Sequence, residues 1–185
     1  MKERGKAGKS LAGQLLLASP GLRDPNFRRT VILMSAHDGD GALGAVLNRP
    51  AGKSLSALNP DFALTALADV PLYHGGPVEP DKLILAAWQR REEEGEFQLN
   101  FGLEPERAAG LVTTPGVTVR AFLGYAGWGK GQLENEMRHQ TWYTASVADY
   151  NLGSMEGTGL WRLILGSLGP ELKLLADEPE DPAVN

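Results

Sequence analysis

Turn-forming residues recur along this chain at close intervals. Pro20-Gly21, Asp24-Pro25, Asp38-Gly39-Asp40-Gly41, Asn48-Arg49-Pro50, Gly75-Gly76-Pro77 and Gly169-Pro170 each interrupt an apolar stretch. Glycine supplies positive φ, and proline fixes φ and lacks an N–H donor, so such groups end strands and helices and turn the chain. The pieces left between them are short, which favours strands joined by tight connections over a helical bundle.

Leu15, Leu16 and Leu17 form a short buried run, and Thr30-Val31-Ile32-Leu33-Met34-Ser35 has the length and β-branching of a strand. The Asp38 to Gly41 turn then predicts a hairpin, with residues 42–47 as the return strand. Residues 70–73, 82–88, 97–100, 117–125 and 142–147 also read as strands, and residues 92–95 as an exposed loop. Residues 54–58, 61–68 and 104–109 read as short helices. The clearest helical stripes are 132–141, with Leu133 and Met137 in line, and 159–168, where Leu160, Trp161, Ile164, Leu165 and Leu168 share a face. Strands outnumber helices and tight turns join neighbours, so the fold class is α+β with a mixed, mostly antiparallel sheet.

The chain has 185 residues, the usual size of one domain. Residues 10–175 are assigned to that domain, residues 1–9 to a flexible basic N-terminus and 176–185 to a disordered acidic tail. The first segment carries Lys2, Arg4, Lys6 and Lys9 against Glu3; the last carries Asp177, Glu178, Glu180 and Asp181. The formal net charge is -5. A mildly acidic body is a poor footprint for a phosphate backbone, so direct nucleic-acid binding is not expected. There are no cysteines, which excludes disulfides, thiolate metal sites and thiol nucleophiles. No secretory signal is visible, and no apolar run approaches the roughly 20 residues of a membrane span, so a cytoplasmic location is expected.

The sharpest local motif is Gly124-Tyr125-Ala126-Gly127-Trp128-Gly129-Lys130-Gly131, placed between a strand and a helix. It resembles a phosphate-binding loop but has Gly131 where that chemistry needs a magnesium-binding hydroxyl. Two readings stay open: a tight turn where side chains would clash, or an anion site at the start of the Gln132 helix. Trp128, set between glycines, is expected to face outward as a binding ring. Glu134 and Glu136 diverge around the helix and cannot pair as acid and base. Glu136 and His139 form one E-x-x-H pair where a di-metal bundle needs two, so these acids read as a solvated face. His37 and His74 have no adjacent nucleophile, and no two-histidine metal spacing or G-x-S-x-G elbow exists.

Taken together these motifs resemble the YqgE/AlgH family. The resemblance runs through Gly13-Gln14-Leu15-Leu16, Pro20-Gly21, Asp24-Pro25-Asn26-Phe27, His37, Gly41-Ala42-Leu43-Gly44, Asn48-Arg49-Pro50 and His74-Gly75-Gly76-Pro77-Val78. Its most specific block is Gly124-Tyr125-Ala126-Gly127-Trp128 with Gly131-Gln132-Leu133-Glu134, Glu136 and Trp142, followed by Leu160-Trp161. The resemblance implies one compact domain with a split sheet forming a pseudo-barrel and short helices around it. It implies no known reaction; members are commonly labelled transcriptional regulators. This sequence has no helix-turn-helix pattern and no basic recognition helix. Some members carry a cysteine where Ser35 stands, so a redox switch there is lost, and the family pattern does not call for Lys130.

The leading expectation is a non-enzymatic binding or regulatory protein with no cofactor and no metal. Its ligand- or partner-binding candidates are Asn48, Arg49, His74, Gly75, Gly76, Gly124, Tyr125, Gly127, Trp128, Gly131, Gln132 and Glu134, expected on one face. The partner would be a protein or a small anionic ligand, with no membrane role. The alternative is an enzyme or sensor for a small anion or nucleotide near residues 124–136, with Arg49 as clamp and His74 and Glu134 as polar groups. A third option is a scaffold docking a partner through an exposed Trp128.

Overall fold

Leu15, Leu16 and Leu17 are all fully buried because strand β1 (Gln14–Ala18) has protein on both faces. Alternate side chains of a strand point to opposite sides. Leu15 and Leu17 therefore join one apolar core with Trp161 and Phe122, and Leu16 and Ala18 join a second with Trp128 and Trp142. The computed structural model describes residues 9–91, 96–153 and 155–180.

The remaining strands are β2 (Val31–Asp38), β3 (Gly41–Val46), β4 (Pro50–Ser54), β5 (Pro71–His74), β6 (Val78–Arg91), β7 (Glu96–Phe101), β8 (Val117–Gly129) and β9 (Trp142–Ser146). Five helices accompany them: α1 (Leu55–Leu58), α2 (Pro105–Val112), α3 (Gln132–Arg138), α4 (Gly157–Ser167) and α5 (Pro170–Asp177). The sheet runs β4-β5-β8-β3-β2-β1-β9, and β6 leaves this path by pairing with β8 and β7. Only β5 and β8 pair in parallel among the described residues; the other pairings are antiparallel. The fold is a single α+β domain with a mixed, mostly antiparallel sheet that stays open.

Strand β8 explains the split. Its first part, residues 117–125, pairs with β6, and its last part, residues 126–129, pairs with β3. One continuous strand thus belongs to both halves of the sheet. Helices α4 and α5 cover the core around Trp161, α3 the core around Trp128, and α1 and α2 a third core around Leu55, Leu72 and Ala121.

Several expectations change. The stretch at 124–129 is strand, not a loop: Gly124 serves close backbone packing while the ladder continues. The helix at 132 stops at Arg138, because Gln140 takes a left-handed φ of 56°. Residues 61–68 make a 3-10 turn at Pro60–Phe62 and further turns instead of a helix. Pro170 starts a helix as well as ending one; its fixed φ suits the first helical position. That helix runs to Asp177 and buries Ala176, so the boundary drawn at 175 falls inside an ordered element. Residues 1–8 and 181–185 of the two assigned tails, and the loop assigned to 92–95, lie outside the described residues.

Candidate functional site

Trp128 is buried, at 6% exposure, and does not face outward as expected. The reason is Glu136. One carboxylate oxygen, Oε2, accepts from Trp128 Nε1 at 2.9 Å and from Trp142 Nε1 at 2.7 Å. The other, Oε1, accepts from Gln132 Nε2 at 3.0 Å, while Gln132 Oε1 accepts the Gly129 N–H at 3.0 Å. The two indoles meet edge to face at 6.0 Å, and Phe27 packs against both. Glu136 is thus a buried-facing clamp and not part of a solvated face. Docking through an exposed Trp128 has no ring to act through.

Below that clamp, α3 and the β2–β3 hairpin enclose a groove of 620 Å³. Leu11, Leu133 and Met137 give it apolar walls; Lys9, Asp38, Glu134 and Arg138 stand on its rim. His37 sits in its floor with its side chain 9% exposed. Its Nδ1 accepts the Leu11 N–H at 3.0 Å, which leaves the proton on Nε2 to be donated to Glu134 Oε1 at 2.8 Å. That hydrogen bond is the main cause holding the Glu134 carboxyl below the usual carboxylate range. Ser10 Oγ donates to the His37 backbone carbonyl at 2.8 Å, so the hydroxyl is not aligned on the imidazole.

The Asn48, Arg49 and His74 candidates lie elsewhere. Asn48 is 3% exposed and fully engaged: Oδ1 accepts the Val31 N–H, and Nδ2 donates to the carbonyls of Arg29 and Gly157. Arg49 donates to the carbonyls of Pro25, Asn26 and Arg28, tying down the loop before β2. His74 is exposed beside Arg49 and Gly76 on a small cleft of 190 Å³, and its N–H donates to Arg49 O at 2.8 Å. Gly75, Gly76 and Gly124 allow two backbones to touch. A Cβ on Gly75 would collide with Gly124 O, one on Gly76 with the Tyr125 backbone, and one on Gly124 would lie 2.5 Å from Gly76 O. Gly124 also takes φ 71°. Tyr125 packs against the Trp161 core, and Gly127 is exposed over its ring.

The twelve candidates therefore spread along β8 from Gly124, through Gly127 and Trp128, to the turn and helix that follow the strand. Asn48, Arg49, His74, Gly75, Gly76, Gly124 and Tyr125 gather at Gly124. Gly131, Gln132 and Glu134 follow Gly129, which lies about 16 Å further along the strand at ~3.3 Å per residue. Gly131 is the left-handed residue before α3. That helix has seven residues, and Gln132 caps the preceding strand end with its own side chain. His74 and Glu134 do not share a pocket. No group of three or more His, Asp or Glu side chains suited to a metal occurs among the described residues. No helix among them is long and apolar enough to cross a membrane.

Residues 15–173 match the family model described as AlgH-like. The chain belongs to the YqgE/AlgH family. A UPF0301 protein of Streptomyces coelicolor is 37% identical over 185 residues, covering 95% of this chain and 96% of its own. One from Chlorobaculum tepidum is 36% identical, covering 94% and 95%. The solution structure of AlgH from Pseudomonas aeruginosa superposes with a TM-score of 0.64 at 28% identity, over 98% of this chain and 100% of that one. A crystal structure of a Corynebacterium diphtheriae protein gives 0.67 at 22% identity, over 96% and 95%, a likeness of fold.

In this AlgH-like chain the most specific sequence block, from Gly124 to Trp142, is explained by packing. Tight backbone approach needs Gly124, the left-handed φ before α3 suits Gly131, and the shared carboxylate needs its two tryptophans and Glu136. Sequence reasoning missed the His37–Glu134 pair, because 97 positions separate the partners. It also missed Arg120, which is buried with its guanidinium 4.4 Å from the Tyr73 ring and 5.3 Å from the Trp88 ring. An arginine inside an alternating strand pattern carries no signal of that burial.

Proposed function

We propose that this chain is a non-enzymatic binding protein whose working site is the His37–Glu134 groove, taking an apolar side chain of a protein partner. The observation that carries the reading is the groove itself: apolar walls from Leu11, Leu133 and Met137 around a fixed polar pair. Pockets of this kind take an apolar anchor and use a few placed polar groups for orientation. Both ring nitrogens of His37 are already engaged, so the imidazole is an organising group and not a free base. A regulatory role of the kind the family is labelled with would then act through a protein contact and not through DNA.

The test uses N-acetyl-phenylalaninamide as a peptide-like apolar probe. It is expected to raise the unfolding midpoint of the native chain in proportion to occupancy, and to lose that effect in Met137→Lys, which places a charge in the wall. An unchanged midpoint, or an equal rise in both proteins, contradicts the reading.

A further inference from the structure

Arg29 is held in an unusual way. Its backbone takes φ 53°, a left-handed conformation uncommon for a residue with a side chain. Its guanidinium lies 5.2 Å from the Trp161 ring, Nη2 donates to Glu178 O at 2.6 Å, and Nε stands 3.8 Å from Glu180 Oε1. Nη1 is buried and has no hydrogen-bond acceptor among the described residues. Arg28 and Arg49 line the same cleft of 300 Å³ as Arg29, together with Thr158 and Glu180.

Arg28, Arg29 and Arg49 thus line a cleft in which Glu180 is the one lining carboxylate and is in ion-pair range of Arg29, while Asp24 and Glu178 act on these arginines from outside the lining. Burial is the largest cause lowering the proton affinity of both Arg29 and Arg49, and the Arg28 charge lowers each further. Arg49 spends its Nη donors on carbonyls and contributes charge; Arg28 is exposed. Among the lining residues the guanidinium groups therefore outnumber the carboxylate by three to one. A carboxylate brings one charge and two oxygens, whereas a phosphate brings up to two charges and three acceptor oxygens, which suits clustered arginines.

We propose that the Arg28–Arg29–Arg49 cleft is a phosphate-binding site, and that the Glu178–Glu180 segment occupies it in cis as a displaceable stand-in. The segment enters from the end of α5, so it is tethered beside the site at high effective concentration and competes with any free ligand. The site is distinct from the His37–Glu134 groove and does not depend on it.

The test measures binding of inorganic phosphate and of phenyl phosphate by calorimetry at low ionic strength, for the native chain, Glu180→Gln, Arg28→Gln and a chain ending at Asp177. Glu180→Gln is expected to bind about fivefold more tightly than the native chain, the upper range for a partly exposed ion pair, and the shortened chain at least as tightly as Glu180→Gln. Arg28→Gln is expected to weaken binding, and to cancel the gain when combined with Glu180→Gln. Tighter binding of phenyl phosphate identifies a phosphate ester as the ligand class; equal affinities identify the free anion. Unchanged affinity in both Glu180→Gln and the shortened chain overturns the proposal, as does full binding in Arg28→Gln. Should the shortened chain fail to fold, Glu180→Gln and Arg28→Gln decide.

Discussion

Glu136 accepts two indole N–H groups on a single oxygen, in a partly buried setting where hydrogen bonds to a charged group are worth about 1.5–3 kcal/mol each. Glu136→Ala strands both donors and frees Gln132. It should cost about 3–6 kcal/mol by the same measure, read by denaturant unfolding, with a change in tryptophan fluorescence because Trp128 and Trp142 lose their common partner. Gly124 is constrained in another way, by φ 71° and by Gly76 O at 2.5 Å from any Cβ. Gly124→Ala should destabilise by about 2 kcal/mol or more, since strain and clash act together; a loss below about 0.5 kcal/mol would mean that the β8 contact relaxes freely. At this scale the sequence was legible in part. Clustered glycines signalled crowded backbone at Gly75, Gly76 and Gly124. The burial of Trp128 was hidden, because nothing local shows that a carboxylate eight residues on reaches back to its indole.

At the scale of elements, legibility followed the locality of the forces. The hairpin of β2 and β3 and the apolar stripe of α4 come from turn chemistry and periodicity, and both were readable. Strand β4 was not, because Pro50-Ala51-Gly52-Lys53-Ser54 has little strand propensity and is held by pairing with β5. The nature of residues 124–129 was misread for the same reason: glycines signal a turn locally, while long-range pairing with β3 keeps them in a strand. Helix α3 is joined to the β2–β3 hairpin by the His37–Glu134 hydrogen bond. The Glu134 carboxyl is depressed when folded, so its contribution is present above the ordinary glutamate value, about 4.3, and is lost as pH falls through the lower folded value. The unfolding midpoints of the native chain and Glu134→Gln should therefore differ at pH 7 and converge in acid. A gap that persists undiminished at pH 3 would contradict this account of the pair.

At the scale of the molecule, three cores share one sheet, and β8 runs through both halves. Trp161 lies at the centre of the larger core, fully buried, with Nε1 donating to Ala18 O at 2.9 Å. Trp161→Ala should cost about 3–5 kcal/mol. Because β1 contributes alternate residues to the Trp161 and Trp128 cores and β8 joins the sheet halves, far- and near-ultraviolet dichroism should report one coincident transition. Two separated transitions would show that the halves fold apart. The groove of α3 and the arginine cleft share no lining residue, so the two sites are open to independent test. The most direct test of the binding reading is amide chemical-shift mapping with N-acetyl-phenylalaninamide on the isotope-labelled chain. The account predicts saturable shifts confined to Leu11, His37, Gly39, Leu133, Glu134 and Met137. No saturable shift there, or shifts centred instead on His74 and Gly76, would contradict it.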